Sequence, residues 1–94
     1  MEYDIRHESE RTRFVAYEEG GEAVVDYRIA DDGALVIEHT FTPPSMRGRG
    51  VAGHLVRAAA EYAREAGVAV RPRCSYAVHF FERHPEFRDL LRAE

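Results

Sequence analysis

The sequence predicts an α+β domain with a mixed sheet: an antiparallel N-terminal meander followed by a β-α-β-α unit. Three observations predict it. Apolar residues run in short strand-like stretches over residues 3–29 and 34–42, punctuated by glycine-containing turns. From residue 52 the apolar spacing becomes helical. A short apolar run, Val68-Ala69-Val70, then returns the pattern to strand. At 94 residues the chain has room for one domain, 1–94, and no second core.

Arg13-Phe14-Val15-Ala16-Tyr17 is apolar-rich and ends at the turn Glu18-Glu19-Gly20-Gly21. Ala23-Val24-Val25-Asp26-Tyr27-Arg28-Ile29 runs to Asp31-Asp32-Gly33, a hairpin signal because Asp-Gly accepts the positive φ of tight turns. Leu35-Val36-Ile37-Glu38-His39-Thr40-Phe41-Thr42 forms the next strand, and Pro43-Pro44 closes it by removing ladder donors. Three or four antiparallel strands are expected. After the glycine loop, Ala52, Leu55, Val56, Ala59, Tyr62, Ala63 and Ala66 share one helical face, and Gly67 stops the helix. Val68-Ala69-Val70 predicts a short strand, its approach fixed by Pro72, that delivers Cys74 at its carboxyl end. Ser75 is the expected N-cap of a helix over 76–83. Pro85 is the expected start of a second short helical segment carrying Phe87, Leu90 and Leu91. The strand–helix–strand unit over 35–70 is expected to be a right-handed crossover joining parallel strands.

Composition limits the functional classes. An apolar content of 45% is that of a folded protein. No apolar run approaches the ~18 residues that span a bilayer, the N-terminal residues carry no signal-peptide stretch, and a single cysteine forms no internal disulfide. These features predict a cytoplasmic protein without membrane partners. A net charge of −4 argues against a sequence-blind nucleic-acid binder. All 13 basic residues are arginine, whose planar fork of donors suits phosphate, although a GC-rich coding sequence gives the same bias. Five histidines and one cysteine invite a metal reading, but no His-x-x-x-His or Cys-x-x-Cys spacing occurs and no metal is expected.

The chemistry concentrates at Arg47-Gly48-Arg49-Gly50-Val51-Ala52. A pyrophosphate needs converging N–H donors, which a helix N-terminus supplies together with a favourable dipole. Glycine lets the backbone approach closely, and Arg47 and Arg49 add positive charge at the mouth. The loop follows a strand and opens the long helix. It lacks the Gly-Lys-Ser/Thr ending of a nucleotide P-loop, and it does not follow the first strand as dinucleotide loops do. An ordinary strand-to-helix turn is the competing reading of the loop taken alone.

Arg47-x-x-Gly50-x-Ala52 resembles the acetyl-coenzyme A signature of GCN5-related N-acetyltransferases. The resemblance is nearest to a small subfamily marked by a cysteine and a glycine, through His39-Thr40 before the loop and Pro72-Arg73-Cys74-Ser75-Tyr76 after the helix. It implies a pair of parallel strands, near 36–42 and 68–74, that splay to admit the pantetheine arm. Backbone groups around Phe41 and Thr42 would pair with that arm. Backbone N–H groups from Arg47 to Ala52 (Arg47, Gly48, Arg49, Gly50, Val51 and Ala52) would hold the pyrophosphate. The cosubstrate implied is acetyl-coenzyme A.

The resemblance also places Cys74 where many members carry asparagine, and Phe81 where the tyrosine that protonates the departing thiolate usually stands. Cys74 therefore reads either as an acyl-accepting nucleophile, favoured as thiolate by the following helix N-terminus with Arg71, Arg73 and His79, or as an inert half-buried thiol. Glu38, His39 and His79 are candidates for the general base, and His39 is preferred because it belongs to the matched pair. Strand alternation sends Glu38 and His39 to opposite faces. Phe80, Phe81 and Phe87 read as core residues. The predicted function is N-acetyl transfer to an unidentified amine, small or macromolecular, by a monomer or weak dimer with an open acceptor side. The alternative is a non-catalytic acetyl-coenzyme A sensor or adaptor.

Overall fold

Phe14 and Ala16 on one strand and Ala23, Val25 and Tyr27 on the next are the alternate residues that must leave water together, and they set the sheet's buried face. In the computed structural model, which describes residues 4–18 and 21–91, these residues lie on β2 (Arg13–Glu18) and β3 (Gly21–Ile29). β1 (Ile5–Glu8) flanks β2, and β4 (Leu35–Phe41) flanks β3. A 16-residue helix, α1 (Val51–Ala66), leads to β5 (Val70–Pro72) and then to α2 (Ser75–Arg83). The sheet order is β1-β2-β3-β4-β5, antiparallel through β4, with β5 parallel to β4. This is the mixed α+β sheet expected from the sequence.

Leu55, Val56, Ala59, Ala60 and Ala63 form the buried stripe of α1 and pack in one cluster with Phe14, Val25, Tyr27, Leu35 and Ile37. Phe80, Phe81, Phe87 and Leu90 extend that cluster from the C-terminal segment, so all three phenylalanines are core residues. Burying each large side chain contributes roughly 1.5–3 kcal/mol. Gly67, at φ 74°, ends α1 in the left-handed region with its N–H on the Ala63 and Arg64 carbonyls.

Local details depart from the sequence-based expectation. The first stretch breaks after Glu8 into a 3-10 turn, Ser9–Arg11, and Thr12 takes φ 48° before β2 begins. The expected turn at 18–21 includes Glu19 and Gly20, and the first strand was expected from residue 3; these residues lie outside the described ones. The last strand is Val70–Pro72 instead of 68–70. Proline fits there because Pro72 pairs with Ile37 without donating, while Arg73 supplies the next N–H to the Ile37 carbonyl at 2.8 Å. The cap of α2 is Cys74, not Ser75: its Sγ accepts from the Ala77 N–H at 3.4 Å.

Two irregularities position the site. β4 runs on to Phe41, but its pairing with β5 stops at Ile37, so the two strands separate beyond that point. Opposite β3 the register slips: Tyr27 faces Ile37 and Asp26 faces His39, which leaves Glu38 as the extra residue of a β-bulge. Cross-strand partners share a face. His39 therefore lies with Asp26 on the face away from α1, and Thr40 lies with the core residue Val25. Glu38 reaches Arg28, which faces the same way as Val36, so the bulge leaves Glu38 and His39 on one face. The expected alternation of those two residues fails for this reason.

Candidate cofactor site

The loop between β4 and α1 is shaped by backbone conformation. Gly48 and Gly50 take φ 79° and 78°, and a Cβ on either would meet nothing within 4 Å. The glycines are required by their left-handed dihedrals, not by crowding within the protein. A 3-10 turn, Pro44–Met46, precedes them and is pinned by Met46, which is fully buried. Gly50 is the N-cap of α1 and has no side chain to cap with, and the first helical bond runs from the His54 N–H to the Gly50 carbonyl. The N–H groups of Val51, Ala52 and Gly53 precede that bond and have no carbonyl within the helix to accept them. The first turn carries no acidic residue. This is a bare helix N-terminus with its positive end uncompensated.

A groove of about 370 Å³ opens in front of it, lined by Thr40, Phe41 and Thr42 on one side and Gly48, Gly50 and Ala52 on the other. Its β4 wall, Thr40 and Phe41, lies beyond Ile37, where the pairing with β5 has stopped. The expected phosphate residues do not all serve alike. The Arg47 N–H is taken by the Pro44 carbonyl at 3.3 Å, so it adds no donor. Its Nε donates to the Thr42 carbonyl at 2.8 Å, which ties the loop to the end of β4 and occupies that carbonyl. Arg49 reaches across to Glu18 at 2.5 Å. Both side chains thus brace the loop, and the start of α1 adds the N–H groups of Val51, Ala52 and Gly53 as donors without a helical acceptor.

Beside Thr40 of that wall, Cys74 is half-buried, with Sγ 3.7 Å from the Thr40 hydroxyl and at the positive end of α2. This contact bridges the gap where main-chain pairing has stopped. Arg71, expected to support the thiol, is committed to Asp32 and holds that carboxyl down to about 2, with the Ala34 N–H also contributing. His79 is exposed and faces Glu82 at 3.4 Å. Phe81 is 5% exposed and belongs to the core.

Tyr76, in the sequence no more than one member of the Pro72-to-Tyr76 motif, lines the groove, and its hydroxyl lies 3.3 Å from where a Cβ at Gly53 would stand. A glycine in the first turn of an otherwise alanine-rich helix was the available signal. Burial raises the Tyr76 phenol above its ordinary value, while Arg83 acts in the opposite direction. Among the described residues no three His, Cys, Asp or Glu side chains converge as a metal site would require. No helix there is long and apolar enough to cross a membrane.

Residues 13–90 match the family described as GCN5-related N-acetyl-transferase. Protein NATD1 of Bos taurus is 29% identical over 83 residues, covering 86% of this chain and 74% of that protein. Protein NATD1 of Danio rerio is 28% identical over 90 residues, covering 94% of this chain and 82% of that protein. Among solved structures, the NMR solution structure of a GCN5-like protein from Staphylococcus aureus superimposes with a TM-score of 0.77 at 26% identity, covering 98% of this chain and 90% of its own.

Proposed function

The chain belongs to the GCN5-related N-acetyltransferase family, and from that premise we propose that it binds acetyl-coenzyme A and transfers the acetyl group to an amine. The observation that carries this is the uncapped N-terminus of α1 behind Gly50, opening on a groove walled by the part of β4 that no longer pairs with β5. A diphosphate fits the bare donors, and an extended pantetheine arm fits the unpaired edge of β4 beyond Ile37. The cosubstrate supplies an activated thioester.

The protein's own part is positioning and proton handling. The N–H groups of Val51, Ala52 and Gly53 hold the diphosphate, and the β4 edge near Phe41 aligns the arm toward Cys74. Cys74 then accepts the acetyl group: its sulfur, having lost its proton to solvent, forms a bond to the carbonyl carbon as the bond to the coenzyme sulfur breaks. The coenzyme leaves as thiolate and takes a proton. His39, on the opposite face at the same break in the sheet, takes a proton from the incoming ammonium. The freed amine forms the C–N bond as the C–S bond to Cys74 breaks, and the surplus proton on nitrogen passes to the departing sulfur, which restores the thiol. The exchange from one thioester to another is nearly isoenergetic, so geometry carries most of the catalytic burden. The acceptor is a small or macromolecular amine reaching an open sheet face.

Purified protein incubated with acetyl-coenzyme A and then analysed by mass spectrometry tests the covalent route. Acetyl on Cys74, and loss of transfer to polyamine, peptide or protein N-terminal amines in Cys74→Ala, supports it. Full transfer by Cys74→Ala with no acetyl-enzyme sinks that route and leaves direct transfer. Tight cofactor binding without turnover on any amine class favours the sensor reading, for which the core placement of Phe81 in place of a phenol acid speaks.

A further inference from the structure

Beyond Gly50 and Tyr76, α1 and α2 enclose a second groove of about 240 Å³. Its walls bring His54 and Arg57 of α1 together with His79, Arg83 and His84 from α2 and its C-terminal cap. Five basic or imidazole side chains thus surround one small space in a chain whose net charge is −4. Gly50 and Tyr76 line both grooves, so the second begins where the diphosphate site ends.

The cations are not equivalent. Arg57 is fixed: its guanidinium lies over the rings of Phe80 and Phe87 at 5.9 and 5.3 Å, and Glu86 approaches it at 3.4 Å. His84 stacks on Phe80 at 4.1 Å and also faces Glu86, at 3.3 Å. His79 faces Glu82 at 3.4 Å. Arg83 is exposed, and among the described residues no carboxylate pairs with it; its charge acts on the Tyr76 phenol at the shared wall. The groove therefore offers one exposed guanidinium, Arg83, and one held over the Phe80 and Phe87 rings, Arg57, together with three imidazoles. An arginine pair of this kind suits a phosphate monoester, whose three free oxygens accept forked donors.

We infer that this groove binds the 3′-phosphate at the nucleotide end of the cofactor and so distinguishes coenzyme A from 3′-dephospho-coenzyme A. The inference rests on the cofactor reading above. A molecule whose diphosphate sits on the donors of α1, and whose thioester end runs along β4, has its nucleotide end leaving over Gly50 and Tyr76. Arg83 is the principal reader, and Arg57 completes the grip.

Calorimetric titration of the full chain with coenzyme A and with 3′-dephospho-coenzyme A tests it. Wild type is expected to bind coenzyme A about tenfold more tightly at low salt, the low end for charge-assisted contacts at a partly exposed site. Arg83→Gln, an exposed change that the fold tolerates, should lose most of that preference while binding the dephospho form within twofold of wild type. Equal affinity of wild type for the two ligands overturns the inference and leaves the cofactor reading standing. A preference that survives both Arg83→Gln and the double variant Arg57→Gln/Arg83→Gln overturns it equally. Failure to bind either ligand overturns the cofactor reading and this inference with it.

Discussion

Gly50→Ala, set against Gly33→Ala, separates the conformational demand of the loop from its role in binding. Both glycines are left-handed, at φ 78° and 90°, and a Cβ on either meets nothing within 4 Å. Each substitution therefore carries the same kind of penalty, about 1–2 kcal/mol for an L-residue in that region. In a domain of this size that lowers Tm by roughly 4–8 °C per kcal/mol, so the two variants should melt at similar temperatures below wild type. Their binding should differ. Gly33 turns the chain between β3 and β4, whereas Gly50 sets the direction of the Val51, Ala52 and Gly53 N–H groups and lines the groove. Relaxing the strain at Gly50 rotates those donors, and losing one charge-assisted bond of about 1.5–3 kcal/mol weakens binding by a decade or more. Thermal unfolding measures the first quantity and calorimetric titration with acetyl-coenzyme A the second. Wild-type affinity in Gly50→Ala, or an equal loss in Gly33→Ala, would refute the reasoning.

Three further outcomes follow from the packing and charges. His7 lies flat against Phe14 at 4.1 Å, with Tyr62 edge-on at 4.5 Å and the Tyr27 hydroxyl 2.6 Å from Nε2. Burial lowers its pKa below 6.5, so the unfolded chain takes up a proton that the folded one resists. Stability should fall as pH drops through and below 6.5, and His7→Gln should flatten the change in urea midpoint between pH 7 and 5; an unaltered slope counts against it. Asp32 has its pKa lowered to about 2 by Arg71, so its contribution is present above 3.8 and lost as pH falls from there toward 2. Asp32→Asn should remove that acid-limb loss in an unfolding series, and a loss identical to wild type's would contradict the pairing. Cys74→Ala should cost up to about 1 kcal/mol through the lost cap on Ala77, and Cys74→Ser should recover most of it in chemical denaturation. Equal stability of the two variants would mean that the cap contributes nothing.

Much of the fold is legible because single residues announce it. The recurrence of Leu55, Val56, Ala59 and Ala63 fixes the buried stripe of α1, and Gly67 ends it in the conformation that favours glycine. Asp32-Gly33 announces the β3–β4 turn, where the Asp32 carboxylate also accepts from the Ala34 N–H at 3.1 Å. The phosphate loop is legible because its glycines and the helix that follows share one physical cause. The bulge at Glu38 is not: neither glycine nor proline marks it, and it exists only through the pairing of β4 with β3. Cys74 as cap was hidden because sulfur is a weak acceptor and the neighbouring serine is the commoner capping residue. The partners of Arg49 and Arg71 lie 31 and 39 residues away, beyond any local pattern. Charge at the loop mouth therefore reads locally as ligand-binding, while in the fold part of it braces the loop.

Amide chemical shifts recorded during titration with coenzyme A, and in parallel with pantetheine, which lacks the diphosphate, test the central claim most directly. The Val51, Ala52 and Gly53 N–H resonances should move most, downfield and saturably, with coenzyme A, and stay nearly still with pantetheine while residues near Phe41 respond to both. Largest shifts elsewhere, or the same response at the start of α1 to both compounds, would contradict the account.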